Sequence, residues 1–349
     1  GGYAAIDATR ILDTREVPGR LVAETEYRVD VPEDLVGTDA TTLTVNLTVT
    51  EPSAPGYITV YPCGTDRPLA SATNYTTDET RANVVDVPYE AGSDICLWSL
   101  VDTDAVIDVQ GYHGPSNENR IVPRTATRLV DTRPGDKLEA GETRVIDVVG
   151  TGMASASATV VALNIAATQT EGPGFITVFP CGDKRPLASN LNFTADQTVS
   201  NEVFVEPGAN GTVCVYTLTG THLVVDLDAT FEPSGTLAFS PVVAGRVADT
   251  RPADKLTAGE TREWKIADGV AAVALNVVAT QTAGPGFLTV FPCDTERPIA
   301  SNVNFYERRQ TVSNHVTARV DDNGNICVYA SIATHIVIDV EGTYRELTN

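Results

Sequence analysis

Hydrophobic and polar residues alternate along most patterned segments of the chain. Between Leu43 and Val49 every second residue is aliphatic, and the residues between them are Thr or Asn. The same alternation runs through residues 223–231 and 336–344. Alternating residues lie on opposite faces of a β-strand, and no segment combines a helical period with helix caps. The pattern predicts an all-β protein built from short antiparallel strands.

The chain contains three copies of one sequence unit. The run from Arg10 to Arg15 recurs at 128–133 and 246–251, and the Tyr-Pro-Cys run that ends at Cys63 recurs as Phe-Pro-Cys. We therefore divide the chain into repeat 1 (residues 1–114), repeat 2 (115–232) and repeat 3 (233–349). Each repeat has the usual length of a domain, and the connecting stretches are short. The prediction is three tandem antiparallel β-sandwich domains, jelly-roll or immunoglobulin-like, in a closely coupled row.

Each repeat carries two cysteines at nearly equal spacing. One disulfide within each repeat is the simplest pairing that treats the three copies alike. No Cys-x-x-Cys pair and no neighbouring His recurs, which disfavours zinc. Disulfides imply an oxidising compartment, and a ring two residues after the second cysteine is expected to pack on the bridge in the core. The predicted bridges are Cys63–Cys96, Cys181–Cys214 and Cys293–Cys327, and the rings are Trp98, Tyr216 and Tyr329.

The net charge and the hydropathy of the chain limit the classes of partner that it can bind. The chain has 24 basic and 46 acidic residues, a formal charge of −22. A field of this sign repels nucleic acids and anionic membrane surfaces, so we expect neutral or cationic partners, or other copies of the chain. No apolar run has the length of a membrane-spanning helix. The chain starts with Gly1 and shows no apolar leader, so we expect that any secretion signal was removed or lies outside this sequence.

An Asp-x-Arg pair is the most regular charged feature. At this spacing both side chains lie on one face of an extended strand. The pair could clamp a polar ligand, or it could be an ion pair that orders the following loop, and the second interpretation is favoured because no nucleophile recurs beside it. The pairs are Asp13 with Arg15, Asp131 with Arg133, and Asp249 with Arg251.

Two sets of asparagines recur. Asn164 and Asn276 are flanked by small or aliphatic residues on their own strand face, which predicts that they and Asn46 form a buried hydrogen-bonded network. A second set follows Thr three residues earlier and is expected to organise turns. That set is Asn83, Asn201 and Asn314.

Acidic residues close the last strand of each repeat. Two carboxylates at i and i+2 could hold a hard cation such as calcium, or serve as the carboxylate pair of a glycoside hydrolase. The first repeat has Gln110 in place of the second carboxylate, and no calcium-loop motif is present. A solvated acidic face is therefore the favoured interpretation, with no cofactor. The pairs are Asp226 with Asp228, and Asp339 with Glu341.

One strand in each repeat carries an aromatic-Thr-aromatic row on one face and aliphatic residues on the other. If the rings face solvent, they form a platform for sugars or for a neighbouring subunit, and if the strand is covered on both sides they belong to the core. The rows are Tyr57 with Tyr61, Phe175 with Phe179, and Phe287 with Phe291.

Taken together, the motifs of repeat 2 at 128–134, 161–165, 172–182, 185–193, 213–216 and 224–228 resemble a family. It is a tandem disulfide-containing module, with an Arg-Leu-x-Asp-Thr-Arg signature, in secreted and cell-surface proteins of actinobacteria. The resemblance covers essentially the whole chain. It implies an extracytoplasmic accessory or structural role and transfers no catalytic residues.

These observations predict a secreted, cell-surface, non-enzymatic protein with a structural or adhesive role. Exposed strand edges and aromatic rows would make contacts with other proteins or other copies, including self-assembly into an array or filament. The second hypothesis is a multivalent module that binds cell-wall glycan. A glycoside hydrolase is third, because any acidic strand supplies a carboxylate pair, repeat 1 has Gln110 in place of one carboxylate, and no pocket motif is present.

Overall fold

The computed structural model describes residues 1–16, 19–150 and 152–347. Within these ranges the regular elements are twenty-four β-strands and no helix. All strand pairs within the sheets are antiparallel, as the pairing of the last and first strands of repeat 1 illustrates. The prediction of an all-β antiparallel protein is confirmed.

Repeat 1 contains eight strands in two four-stranded sheets. The long sheet has the order β1-β8-β3-β6 and the short sheet the order β2-β7-β4-β5. The strands are β1 (Gly2–Asp13), β2 (Glu26–Val29), β3 (Thr42–Thr50), β4 (Gly56–Pro62), β5 (Thr73–Tyr75), β6 (Arg81–Pro88), β7 (Ile95–Ser99) and β8 (Asp104–Gly114).

Repeat 2 has the same strand order, with a long sheet β9-β16-β11-β14 and a short sheet β10-β15-β12-β13. The turn 115–119 separates it from repeat 1. Its strands are β9 (Arg120–Asp131), β10 (Thr143–Asp147), β11 (Val160–Thr168), β12 (Gly174–Pro180), β13 (Leu191–Phe193), β14 (Val199–Val205), β15 (Thr212–Thr217) and β16 (His222–Glu232).

Repeat 3 has the long sheet β17-β24-β19-β22 and the short sheet β18-β23-β20-β21. A bridge between Ile121 and Leu237 joins the long sheets of repeats 2 and 3 into one eight-stranded sheet. The strands are β17 (Leu237–Asp249), β18 (Thr261–Lys265), β19 (Ala272–Thr280), β20 (Gly286–Pro292), β21 (Val303–Phe305), β22 (Val312–Arg319), β23 (Asn325–Ala330) and β24 (His335–Glu346).

Each repeat buries a hydrophobic core between its two sheets. In repeat 1, the inward-facing Leu43 and Leu47 of the long sheet share this core with Ile58 and Leu97 of the short sheet. The alternation of the sequence therefore follows the faces of the strands. Burial of one such side chain contributes about 1.5–3 kcal/mol, and Leu47→Ala would leave a cavity and cost about 2–5 kcal/mol.

The three repeats also contact one another in a cycle. The buried asparagine in the middle of β3, β11 or β19 donates its side-chain amide to a backbone oxygen of the following repeat. These bonds run from Asn46 to Ser189 (2.9 Å), from Asn164 to Ser301 (2.8 Å) and from Asn276 to Ser71 (2.5 Å).

Because the third of these bonds runs from repeat 3 back to repeat 1, the repeats close into a ring with a pseudo-threefold relationship. The sequence analysis predicted close coupling in a row and did not predict this closure. The ring has its own hydrophobic core, in which Tyr3 of repeat 1, Phe231 of repeat 2 and Phe239 of repeat 3 are buried together. The imidazole of His113 stacks on the phenyl group of Phe239, with 3.9 Å between the two centroids.

Two glycines make room for this shared core. A Cβ on Gly111 would lie 2.3 Å from the hydroxyl of Tyr3, and one on Gly342 would lie 2.0 Å from the ring of Phe239. The equivalent position in repeat 2 is Ala229, where the residue equivalent to Tyr3 is the smaller Ile121. Glycine thus occurs where an aromatic ring approaches the last strand closely.

No helix among the described residues has the length and apolar composition needed to cross a membrane.

Candidate functional site

The Asp-x-Arg pairs are ion pairs within a larger network. Arg15 donates two hydrogen bonds to Asp13, at 2.8 and 2.5 Å. Arg10 donates to Asp13 at 3.2 Å and to the buried Asp108 of β8 at 2.9 Å. The charged groups therefore satisfy one another, and the geometry favours a structural ion pair that fixes the turn after β1 over a clamp for a ligand.

The same network recurs in the other repeats. Arg133 and Arg251 each donate two hydrogen bonds to the preceding aspartate, at 2.8 and 2.6 Å. The side-chain hydrogen bond from the arginine is the main reason that the pKa of Asp131 and the pKa of Asp249 are lowered to about 2. Arg128 and Arg246 bind the buried carboxylates of Asp226 and Asp339.

The cysteines are bonded within each repeat, as Cys63–Cys96, Cys181–Cys214 and Cys293–Cys327. The ring two residues after each second cysteine is half-buried, so the prediction that Trp98, Tyr216 and Tyr329 are core residues is wrong. The alternation of the strand sends Leu97 into the core and Trp98 to the outer face of the short sheet. There an arginine covers each ring, with the guanidinium 3.5–3.7 Å from the ring centroid. The arginines are Arg67, Arg185 and Arg297.

The aromatic rows divide into two halves. The second ring of each row is buried, namely Tyr61, Phe179 and Phe291. The first ring of each row is half-buried and packs against the arginine-covered ring beside it, at 5.7–6.0 Å between centroids. The first ring of each row is therefore partly accessible to solvent. These rings are Tyr57, Phe175 and Phe287.

The acidic strand ends do not form a solvated face, and that interpretation is wrong. Asp226, Asp228, Asp339 and Glu341 are all buried, because β16 and β24 lie inside the long sheets. Asp226 and Asp339 are neutralised by arginines, whereas Glu341 binds a histidine. Asp339 and Glu341 thus have separate partners, which disfavours a shared calcium ion in repeat 3. In repeat 2, Arg128 binds Asp226, and Oδ2 of Asp228 has no hydrogen-bond partner among the described residues.

A different cluster of possible metal ligands occurs among the described residues. It comprises Glu263, Cys293 and Asp321. Cys293 is bonded to Cys327, so it offers no thiolate to a metal.

Buried ionisable groups from all three repeats meet near the ring centre. His315 of repeat 3 contacts Glu341 of the same repeat at 2.8 Å, Glu202 of repeat 2 at 3.4 Å and Asp86 of repeat 1 at 3.9 Å. Burial lowers the pKa of His315, but the hydrogen bond to Glu341 and the three negative charges outweigh burial and raise that pKa to about 9. The imidazolium therefore holds the repeats together electrostatically.

Burial raises the pKa values of three carboxyls in or near this cluster, those of Asp86, Glu202 and Asp228. Burial raises the pKa of Asp86 to about 6 and that of Glu202 to about 7, even though His315 lowers both. Burial and then the charge of Glu202 raise the pKa of Asp228 well above its usual range. Sequence comparison missed the cluster because the residues equivalent to His315 are Val84 and Glu202, so nothing recurs.

The second set of asparagines does not organise turns, and that prediction is wrong. Asn83, Asn201 and Asn314 lie in the middle of β6, β14 and β22 and are fully buried. Asn83 donates to Asn276 at 3.2 Å and Asn201 donates to Asn46 at 3.1 Å. The buried amide network predicted from the first set is present, and it joins different repeats.

Three exposed aliphatic residues occupy equivalent positions. Leu69, Leu187 and Ile299 are 91%, 93% and 86% exposed, more than any other large hydrophobic residue that the structure describes. Each lies in an Arg-Pro-Leu-Ala or Arg-Pro-Ile-Ala loop after the first cysteine. The backbone oxygen of Ile299 accepts from Arg128, and that of Leu69 accepts from Arg246, so these two loops are held against the preceding repeat of the cycle. Sequence analysis included the loop of repeat 2 among the motifs of the resemblance, but it assigned no role to Leu187.

Comparisons with known proteins give limited information. No protein-family model matches the chain, and no curated protein matches it. Two of the solved structures that are similar to the chain match it at 10% identity over its whole length. One is described as the atomic structure of Sulfolobus turreted icosahedral virus, with a TM-score of 0.21 and 92% of that chain covered. The other is described as the triple jelly roll fold and turret assembly in an archaeal virus, with a TM-score of 0.22 and 91% covered. Likenesses at this level carry no argument about what this chain does.

Proposed function

We propose that this chain is a non-enzymatic, extracellular structural protein that assembles with other copies of itself through three equivalent loops. The observation that carries the proposal is the exposure of Leu69, Leu187 and Ile299 at the same position of each repeat. Single exposed aliphatic residues are common, but three copies fixed on one ring form a multivalent contact. The four-plus-four strand order supports three tandem jelly-roll sandwiches as the scaffold.

The loops are suited to binding because they are already ordered. In repeat 1, Arg67 stacks on Trp98 and the backbone oxygen of Leu69 accepts from Arg246. Association would therefore require little further ordering of the loop. Burial of each aliphatic side chain would contribute about 1.5–3 kcal/mol. Three such contacts from one rigid body would act together.

Strand addition at open sheet edges is a weaker route to assembly than the sequence suggested. The outer edges of the short sheets are β2, β10 and β18, which have four or five residues. They carry charged side chains such as Arg28, Arg144 and Glu263. Short, charged edges are typical of strands that avoid pairing with other chains.

The disulfides support an extracytoplasmic location, because such bridges persist in oxidising compartments. The resemblance to an actinobacterial cell-surface module supports the same location. The most strongly perturbed ionisable groups, including Asp228 and His315, are enclosed at the ring centre. A reacting substrate would have no access to them, which supports a role without catalysis or cofactor.

Sedimentation velocity tests the self-assembly proposal. The wild-type chain is compared with the variant Leu69→Ser/Leu187→Ser/Ile299→Ser over a wide concentration range. A matched control replaces three other exposed aliphatic residues, as Val22→Ser/Val145→Ser/Val243→Ser. We expect large, concentration-dependent species for the wild type and the control, and monomers for the loop variant.

A wild-type chain that stays monomeric at the highest concentration would overturn self-assembly. Ionic strength is varied in the same experiment, because the net charge of −22 opposes association. Added salt is expected to increase the assembled fraction of the wild type, and a decrease would indicate that charge pairs rather than the aliphatic loops make the contacts.

The half-exposed aromatic rings support a second candidate function, binding of cell-wall glycan. Phe175 and Phe287 are each partly exposed and lie beside an arginine-covered tyrosine. Aromatic side chains of this kind can pack against the apolar faces of sugars. On this hypothesis Phe175→Ala/Phe287→Ala folds normally and loses retention on cell-wall glycan, and unchanged retention would exclude it.

A further inference from the structure

A basic pocket lies on the surface of repeat 3. Its volume is about 430 Å³, and the residues that line it include three cations and no carboxylate. The cations are Lys255, Arg308 and Arg309, and residues 281–283 complete the lining. The net charge of the whole chain is −22, so the local charge of this pocket is opposite to that of the molecule.

The same place in repeat 2 is negative. There Lys137 forms an ion pair with Glu171 at 2.8 Å, and Asp196 occupies the position of Arg309. One cation and two carboxylates give that place a formal charge of −1, whereas the three cations of repeat 3 give +3. Repeat 1 also has one cation and two carboxylates there, namely Arg20, Glu51 and Asp78.

The cations of the pocket lack the partners that the other repeats provide. Ala283 stands in place of Glu171, and Lys255 donates instead to the backbone oxygen of Gln281 at 2.6 Å. The turn before β22 is one residue longer than the turn before β14 and contains both arginines of the pocket. Neither of their guanidinium groups forms a hydrogen bond or an ion pair within the part of the chain that the structure describes. Three positive charges are therefore available to a ligand.

Hydrogen bonds to Thr282 fix the turn that carries the two arginines. The backbone oxygen of Thr282 accepts from the N–H of Arg309 at 2.7 Å. Its hydroxyl donates to the backbone oxygen of Glu307 at 2.7 Å and accepts from the N–H of Gln310 at 2.9 Å. The backbone of the pocket is thus ordered before any ligand binds, which lowers the entropic cost of binding.

Arg309 has a backbone conformation that does not favour arginine. Its φ is 62°, in the left-handed region, and the equivalent Asp78 and Asp196 have φ values of 57° and 60°. Aspartate is enriched in this region because its short side chain can bond to the local backbone, an advantage that arginine lacks. The turn itself therefore does not account for an arginine here, and the positive charge is what this residue adds.

The charge and the donors of the pocket match a phosphate group. The planar guanidinium of arginine donates two parallel hydrogen bonds to phosphate oxygens, and lysine supplies a further positive charge. A carboxylate carries a single negative charge, whereas a phosphate monoester carries about −1.5 to −2 at neutral pH. A volume of several hundred cubic ångströms is typical of a small-molecule site.

We propose that this pocket binds a small phosphorylated anion, with Lys255, Arg308 and Arg309 holding its phosphate oxygens. A single chain contains the complete site, and the site shares no residue with the three aliphatic loops. The inference is therefore independent of self-assembly and can fail or succeed separately from it.

Isothermal titration calorimetry with inorganic pyrophosphate tests the site, using the full-length chain at low ionic strength. The buffer contains no divalent cations, because these would bridge pyrophosphate to surface carboxylates. Acetate at the same ionic strength is the ligand control. We expect saturable binding of pyrophosphate at one site per chain and no measurable binding of acetate. No saturable heat with pyrophosphate, or acetate binding of similar affinity, would overturn the proposal.

Variants show whether pyrophosphate binds in this pocket. Arg308→Gln/Arg309→Gln removes two of the three cations and is expected to weaken binding about tenfold or more. Ala283→Glu introduces the carboxylate that repeat 2 has at this position. It is expected to weaken binding about threefold to tenfold, because charges at an exposed position are screened. The control is Arg28→Gln/Arg345→Gln, which removes two exposed arginines outside the pocket.

The control variant is expected to bind pyrophosphate as the wild type does. If it weakens binding as much as Arg308→Gln/Arg309→Gln, the overall charge of the chain determines the affinity and the proposal is wrong. Unchanged affinity in Ala283→Glu would also contradict it, because the new carboxylate lies in the lining of the pocket. All the substituted side chains are exposed, so we expect each variant to fold, and thermal unfolding checks this.

Discussion

The side-chain amide of Asn276 donates a hydrogen bond of 2.5 Å to the backbone oxygen of Ser71, and this contact joins the last repeat to the first. Asn276 is satisfied at both ends, because its Oδ1 accepts from Asn83 at 3.2 Å. The equivalent Asn164 donates to Ser301 at 2.8 Å, but its Oδ1 has no partner among the described residues. Two equivalent residues thus differ in how firmly they join neighbouring repeats.

Substitution of these asparagines should reveal that difference. Asn276→Leu leaves the Ser71 oxygen unsatisfied and removes the acceptor of Asn83, so we expect a loss of about 2–3 kcal/mol in the free energy of unfolding. Asn164→Leu leaves the Ser301 oxygen unsatisfied and removes a hydrogen bond to the Asp226 carboxyl, which Arg128 still binds, so it should cost about 1 kcal/mol less. Urea unfolding measures both variants. Equal losses would show that the contact from Asn83 contributes nothing.

The buried His315 cluster makes stability depend on pH. The pKa of His315 is raised to about 9 in the folded chain, so its contribution is complete below the unfolded value of about 6.5 and is lost as the pH rises through 9. Glu202, with its pKa raised to about 7, acts in the same direction up to that pH. The lowered pKa of His113 affects stability only below about 6.5.

We therefore expect the free energy of unfolding to fall by a few kcal/mol between pH 6.5 and 9. Urea unfolding across this range measures the effect. His315→Leu is the control, because it removes the titrating imidazole and leaves buried carboxyls unpaired. This variant should be destabilised by about 3–5 kcal/mol at pH 7 and less at pH 5, where its carboxyls can be protonated. Stability that is flat or rises between pH 6.5 and 9 in the wild type would contradict a protonated His315.

Removal of a disulfide should destabilise the protein substantially. The Cys181–Cys214 bridge spans 33 residues, and its loss in Cys181→Ala/Cys214→Ala is expected to cost about 2–5 kcal/mol. Thermal unfolding of the double variant under non-reducing conditions checks this. The single variant Cys181→Ala controls for the free thiol that remains. A double variant as stable as the wild type would show that the bridge does not constrain the fold.

The strand pattern could be predicted from the sequence because it is local. Alternation placed Leu43 and Leu47 together on one strand face, and the apolar neighbours of Asn164 indicated that its amide is buried. The repeated cysteine spacing indicated the bridges. Each of these signals depends on residues close in sequence or on comparison of three equivalent positions.

The ring and its sites could not be predicted in the same way. The partners of Asn46 and His315 lie in other repeats, and no periodicity specifies how repeats pack together. His315 and Gln110 differ from the residues at the equivalent positions of the other repeats, so comparison of the repeats assigned them no role. Alternation also placed Trp98 and Cys96 on one face, but it did not show which face was the core.

Small-angle X-ray scattering tests most directly whether the three repeats form one closed body. It is measured on the Leu69→Ser/Leu187→Ser/Ile299→Ser variant at low concentration, so that association does not contribute. A compact body of 349 residues should have a radius of gyration of about 20 Å. A value of about 30 Å or more, as expected for three domains in a row, would contradict the closed ring.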